Sequence, residues 1–192
     1  MRFAGYSVIS VITEKTEMMH LTDPMRQYVL HWGEMGARWG VNRSVAQIHA
    51  LLYLADDPLN AEDIAGLLSV ARSNVSGSLK ELLAWDLIRL LHRPGDRRDH
   101  FEARLDPWDM LERIVDGRKK REIDPMLGAL ADCVTAARAD PATPPQALER
   151  LVTMRDFLVR MDGWYGQMRH VPRPALLRLM ALGARIVGLL GR

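Results

Sequence analysis

The chain of 192 residues carries a single cysteine, Cys133. One thiol cannot build an internal disulfide framework or a multi-cysteine zinc site, so a stapled secreted domain is excluded and a cytoplasmic setting is expected. Aromatic residues are scarce, at 6%. No apolar run reaches the roughly 18 residues that a membrane span requires, so no membrane partner is expected. Charge of one sign is also missing: 26 basic side chains are matched by 24 acidic ones, for a formal net charge of +2. Composition alone therefore does not announce a nucleic-acid binder, and any such activity must rest on local patches. The histidines His20, His31, His49, His92, His100 and His170 form no i, i+4 pair suited to a helical zinc site and show no partner pattern for a nucleophile. There is no phosphate-cradling glycine loop. The expectation is a chain without metal, cofactor or catalytic residue, and not an enzyme.

What is present suits an ordinary globular protein, with 48% hydrophobic and 26% charged residues. Its length fits one domain, or one domain with a long appendage. An apolar stretch from Phe3 to Ile12 follows Arg2 but runs into Thr13-Glu14-Lys15-Thr16-Glu17 with no small-residue cleavage site, so export is not expected. Residues 1–21 are read as an N-terminal extension, and Met18 and Met19 leave a later natural start open.

Helix signals dominate the rest. Thr22-Asp23-Pro24 supplies a cap and a first-turn proline for a helix to Trp39, stopped by Gly40. Ser44-Val45-Ala46-Gln47 has the form of a capping box and opens a second helix, ended by Asp56-Asp57-Pro58. Asn60 caps a short helix over 61–68, Ser69-Val70-Ala71 breaks it, and 72–85 is helical again. The period then changes. Segments 87–92 and 100–105 read as short strands around the turn signal Pro94-Gly95-Asp96. Asp106-Pro107 caps a helix running into Arg118-Lys119-Lys120-Arg121, which Pro125 should kink or break. Thr143-Pro144-Pro145-Gln146 caps another helix to about Met161, and a last one spans about Pro174 to Leu190. The expected fold is mainly α with a small β-hairpin wing: a winged helix-turn-helix domain with its N-terminal helix over 22–106, flanked by a helical dimerisation and sensor region over 107–192.

Within the helix-turn-helix, Ile64 and Leu68 should face inward, with Ala65 small enough to let the second helix approach. Val75, Leu79, Leu82 and Leu83 follow the spacing of a buried stripe. Arg72, Ser73, Ser76, Gly77 and Lys80 are left on the opposite face. Arg72 is suited to the paired acceptors of guanine in the major groove, Ser73, Asn74 and Ser76 to base edges or phosphates, and Gly77 to close backbone approach. Taken singly, each residue also suits a solvated helix face; together they point to double-stranded DNA. Arg93, Arg97 and Arg98 on the wing suit a narrow minor groove, with Asp96 as the orienting partner of one of them. From Ser44 to Asp106 there are seven basic and ten acidic residues, a balance of minus three. That keeps open a winged-helix protein-interaction module without DNA binding.

The runs Trp32-Gly33-Glu34-Met35-Gly36-Ala37-Arg38-Trp39-Gly40, Arg43-Ser44-Val45-Ala46-Gln47-Ile48 and Leu51-Leu52-Tyr53-Leu54 resemble the N-terminal signature of GbsR-type regulators within the MarR superfamily. Ser73-Asn74-Val75-Ser76, Leu79-Lys80-Glu81-Leu82 and His92-Arg93-Pro94-Gly95-Asp96-Arg97-Arg98 match that family's recognition helix and wing. The resemblance extends over about residues 25 to 190. It implies a homodimer that acts as a ligand-responsive repressor on a pseudo-palindromic operator, and some such regulators respond to choline-type osmolyte precursors. Ser69 departs from the pattern, because glycine is common there; the serine must tolerate a left-handed or adjusted backbone.

Two recognition helices need a dimer to reach successive half-sites. The final helix, with Leu176, Leu177, Leu179, Met180, Leu182, Ile186, Val187, Leu189 and Leu190 beside a stripe of Arg178, Arg185 and Arg192, is apolar over most of its circumference and suits that interface. A basic membrane-surface helix is the alternative. Tyr28, Trp32, Trp39, Trp164 and Tyr165 offer aromatic faces for a quaternary ammonium effector, though the same residues suit core and interface packing. Gly33, Gly36 and Gly40 imply close helix approach, and Cys133 reads as a small buried hydrophobe rather than a redox sensor.

Overall fold

Pro24 sets the first turn of α1, Asp23–Arg38; Thr22 precedes it without a side-chain cap. The computed structural model describes residues 19–190, and their side chains as far as residue 182. Most of the expected N-terminal extension, and the side chains of Arg185, Ile186, Val187, Leu189, Leu190 and Arg192, lie outside the described residues. Helix α2, Arg43–Leu54, is capped by Asn42, whose side-chain oxygen accepts from the Ser44 amide at 2.8 Å. The Ser44 capping box is thereby corrected: Ser44 sits inside the helix because Asn42, one residue before it begins, already takes an orphan amide.

Strand β1, Leu59–Asn60, leads directly into α3, Ala61–Leu68, and the turn Ser69-Val70-Ala71 connects it to α4, Arg72–Ala84. Strands β2, Ile88–His92, and β3, Asp99–Ala103, form the wing hairpin. Three antiparallel strands lie in the order β1-β3-β2, with Asn60 opposite His100 and Leu90 opposite Phe101. A two-residue strand has no periodicity to detect, so the third strand could not be expected from the sequence.

Helix α5, Pro107–Arg118, starts at Asp106, whose Oδ1 accepts from the amides of Trp108 at 2.8 Å and Asp109 at 3.2 Å. Ahead of Pro125 the helix passes through a π-helical turn, Lys119–Ile123, before α6, Asp124–Ala139. Helix α7, Pro145–Met168, runs two turns past the expected end, so Trp164 and Tyr165 lie on it; α8 is Arg173–Leu190. Gly163 and Gly166 weakened the sequence signal there but did not stop the helix.

Two compact units divide after Gly117. The first buries Ile48, Leu51, Leu52, Ile64, Val75, Leu82 and Ile88 almost completely, and Met110 and Ile114 of α5 pack against this core. Ile64, Val75, Leu79 and Leu82 occupy the inward positions expected of them, while Leu68 and Leu83 are only partly covered. Gly33 and Gly36 mark the close packing of α1 on α2: a Cβ at Gly36 would lie 2.6 Å from that of Ala46. Gly40 differs, having open space around it and a φ of +77°, so it reverses the chain and does not admit a neighbour.

In the second unit, Val134 is the one residue classed as buried in α6, and α7 has none. Met154, Phe157, Val159, Met161 and Trp164 on α7 are exposed, as are Leu177, Leu179, Met180 and Leu182 on α8. Cys133 is exposed on α6, which corrects the expectation of a buried thiol: it is Val134, the next residue and about 100° further round the helix, that turns inward.

Candidate nucleic-acid interface

The helix-turn-helix is held by local bonds. Asn60 Oδ1 accepts from the amides of Glu62 at 2.9 Å and Asp63 at 3.1 Å, and Asp63 Oδ2 accepts from the Asn60 amide at 3.3 Å, a reciprocal cap that fixes the start of α3. Ser69 then takes the left-handed conformation at φ 54°, and the Val70 amide donates to Ala65 O at 3.1 Å. The turn geometry that glycine usually serves is therefore reached by a serine. Ala71 precedes α4 and has no side chain able to cap it, so the first-turn amides of α4 receive no side-chain acceptor. Such an end favours an anion.

Arg72, Ser73, Asn74, Ser76, Gly77 and Lys80 are all exposed, while Val75, Ser78, Leu79 and Leu82 are buried. Asn74 differs from its neighbours. Its Nδ2 donates to Ser44 Oγ at 3.0 Å and its Oδ1 accepts from Ser78 Oγ at 3.5 Å, so its amide joins α4 to α2. Asn74 was expected among the groups presented to base edges or phosphates; it is exposed, and its partner Ser44 lies thirty residues away and has no local signature.

The wing turns at Gly95, φ +82°, where the Asp96 amide donates to Arg93 O at 3.1 Å. Asp96 accepts from Arg98 Nε at 2.9 and 3.0 Å, from Nη2 at 2.6 Å and from its amide at 3.0 Å. These side-chain and then backbone hydrogen bonds hold the Asp96 carboxyl well below the usual carboxylate range, and the same bonds push the Arg98 guanidinium up. Beneath them His100 is buried, its Nδ1 3.0 Å from Arg98 O and its Nε2 3.6 Å from Asp96 Oδ2.

Two acidic residues that the sequence did not single out complete the set. Asp57 pairs with Arg93 at 3.2 Å, and Glu62 lies 3.3 Å from Arg72 and 3.5 Å from Arg98. Glu62 reads locally as a first-turn acid of α3, and nothing in its neighbourhood of sequence announces the arginines. Arg97 is exposed and makes no ion pair among the described residues, as is true of Lys80. Between α4 and the wing lies a cleft of about 550 Å3 lined by Glu62, Arg72, Ser76, Lys80, Arg97 and Arg98 over an apolar floor that includes Leu79 and Phe101. A basic rim beside an uncapped helix end is chemically suited to a phosphate backbone.

Residues 39–99, which span the helix-turn-helix and the wing as far as the start of β3, match a model of the MarR family. This segment is similar to the MarR family domain. Among solved structures, one described as a transcriptional regulator shares 23% identity, covers 76% of this chain and 95% of its own, and has a TM-score of 0.53. That likeness shows the fold alone: mainly helical, with a small winged-helix sheet. A transcriptional regulator from Thermotoga maritima is similar at 18% identity, covering 78% of this chain and 94% of its own with a TM-score of 0.36. Staphylococcus aureus MepR in a complex with DNA is similar at 19% identity, covering 59% and 91% with a TM-score of 0.35. No curated protein matches the sequence.

The aromatic candidates divide between the two units. Tyr28 and Trp32 stack with ring centroids 5.6 Å apart, and Trp32 lies 6.4 Å from the His49 ring. Both pack against the first core, and burial raises the Tyr28 hydroxyl pKa. Trp39 ends α1 at 63% exposure, while Trp164, 54% exposed, and Tyr165 lie on α7. Among the described residues no cluster of His, Cys, Asp and Glu could hold a metal, and no helix is long and apolar enough to cross a membrane.

Proposed function

We propose that the protein is a sequence-specific, DNA-binding transcriptional regulator of the GbsR type, acting in the cytoplasm as a homodimeric, ligand-responsive repressor on a pseudo-palindromic operator, without enzymatic activity. The observation that carries this reading is the cleft in which Arg72, Lys80, Arg97 and Arg98 converge beside the exposed face of α4. In this reading Arg72, Ser73 and Ser76 contact the major groove, and Arg93, Arg97 and Arg98 follow the adjacent backbone or minor groove. The exposed apolar residues of α7 and α8 support a dimer, since a helix pair with so little core of its own gains from a second copy.

The test is titration of the protein against its own upstream region and a shuffled duplex at several salt concentrations. Specific binding at least about a thousandfold tighter than non-specific is expected. Arg97→Ala should flatten the salt slope by about 0.9, and Arg72→Ala should cost about tenfold in affinity. The net acidic balance of residues 44–106 supports a second reading, a winged-helix module that binds protein. Equal affinity for the two duplexes would overturn the first reading, and absence of binding to either would favour the second. The proposed effector is a quaternary ammonium compound held by some of Tyr28, Trp32, Trp39, Trp164 and Tyr165. Choline titration followed by tryptophan fluorescence, with loss of DNA binding as the second readout, decides this part.

A further inference from the structure

The second residue of α3 places one carboxylate between the two DNA-facing elements. Glu62 Oε1 lies 3.3 Å from an Arg72 guanidinium nitrogen on the recognition helix, and Oε2 lies 3.5 Å from a nitrogen of Arg98 on the wing. All three side chains are half-exposed or more and line the same cleft. Both separations exceed the roughly 2.7–2.9 Å of a tight charge-assisted bond, so either arginine can exchange this partner for another. A guanidinium has five donors in a rigid fork, and Arg72 can keep Glu62 on one edge while offering the other to a base.

We propose that Glu62 is a specificity-determining residue of the DNA interface: its carboxylate offsets the charge that Arg72 and Arg98 would offer to phosphates of any sequence, and it orients Arg72 for the paired acceptors of guanine. The inference rests on the DNA-binding reading above. Phosphate contacts supply affinity without sequence information, whereas base contacts discriminate. An anion that competes with phosphate but leaves a base-directed edge free therefore lowers non-specific binding more than specific binding.

The experiment compares wild type with Glu62→Gln, which keeps the shape and removes the charge, by fluorescence anisotropy on the upstream duplex and a shuffled duplex at roughly 50 to 200 mM salt. Glu62→Gln should bind the shuffled duplex about tenfold more tightly at the low end, with its salt slope steeper by about 0.9 for each arginine released to a phosphate. Discrimination between the duplexes should fall about tenfold, and in an Arg72→Ala background most of that change should vanish. A role confined to stabilising the start of α3 would leave the ratio of affinities unchanged, because both duplexes meet the same protein. If wild type discriminates and Glu62→Gln discriminates equally with the same slope, the inference fails and the DNA-binding reading stands. If wild type shows no preference between duplexes, both fall together.

Discussion

Arg98 lays its guanidinium along the Asp96 carboxylate, donating from Nη2 at 2.6 Å and from Nε at 2.9 and 3.0 Å, and thereby locks the turn of the wing. Asp96→Asn should release Arg98 and weaken binding to the upstream duplex by about tenfold, the scale expected when a charge-assisted bidentate pair is lost. The Asp96 carboxyl is depressed, so the order it confers is complete above the ordinary carboxylate range and is lost only as the solution becomes strongly acidic. Amide exchange of residues 96–100 in the wild type should accordingly be independent of Asp96 titration between about pH 5 and 8. Faster exchange in Asp96→Asn checks the assignment.

His49 is expected to make the first unit acid-sensitive. It is 4% exposed, its Nε2 has no hydrogen-bond partner, and burial lowers its pKa from 6.5 to about 4. Above about pH 6.5 it is neutral in both folded and unfolded chains and contributes no pH dependence. Below that value the unfolded chain takes up the proton first, so stability falls until about pH 4, by on the order of 3 kcal/mol. Urea unfolding across this range should show the decline in wild type and a much shallower one in His49→Leu.

Ser69 and Asp86 both have φ near 54°, yet glycine should have opposite effects at the two sites. Ser69→Gly relieves left-handed strain and should stabilise by up to about 1 kcal/mol. Asp86 accepts from Arg104 at 2.6 Å and also pairs with Arg113 of α5. Asp86→Gly relieves the same strain but removes both partners, and a net loss of about 1 kcal/mol is expected. Thermal melts of the two variants should move in opposite directions.

Gly33 and Gly36 lie on the same close contact but differ in what a methyl group would meet. At Gly36 a Cβ would fall 2.6 Å from Ala46 Cβ, which is fixed to the α2 backbone, so Gly36→Ala should destabilise by about 1–3 kcal/mol. At Gly33 it would fall 2.5 Å from Gln47 Cγ, so the half-buried Gln47 side chain must leave its rotamer while the α2 backbone stays in place. Gly33→Ala should therefore also destabilise, but by less than Gly36→Ala and by about 1 kcal/mol or less. Chemical denaturation of the pair tests whether backbone approach or side-chain crowding sets the α1–α2 spacing.

Much of the architecture was legible in the chain because its signals act within a turn or two. Asn60 with Asp63, the Ser69 break, the inward spacing of Val75, Leu79 and Leu82, and the Pro94-Gly95 reversal are each written by neighbours that touch one another. The end of α7 was harder, since Gly163 and Gly166 lower helix propensity without forcing a stop, and the helix runs on through both.

The short-range grammar of caps, turns and apolar period was enough to establish a helix-turn-helix with a hairpin wing. Only folding in three dimensions decided what its polar residues do. In the sequence Asn74 stands level with Ser73 and Ser76, and only folding joins its amide to Ser44 of α2; only folding likewise sets Glu62 of α3 between Arg72 and an Arg98 that Asp96 already holds. A helical period reports which face a residue occupies, whereas a hydrogen bond between residues thirty or more positions apart depends on how whole elements pack.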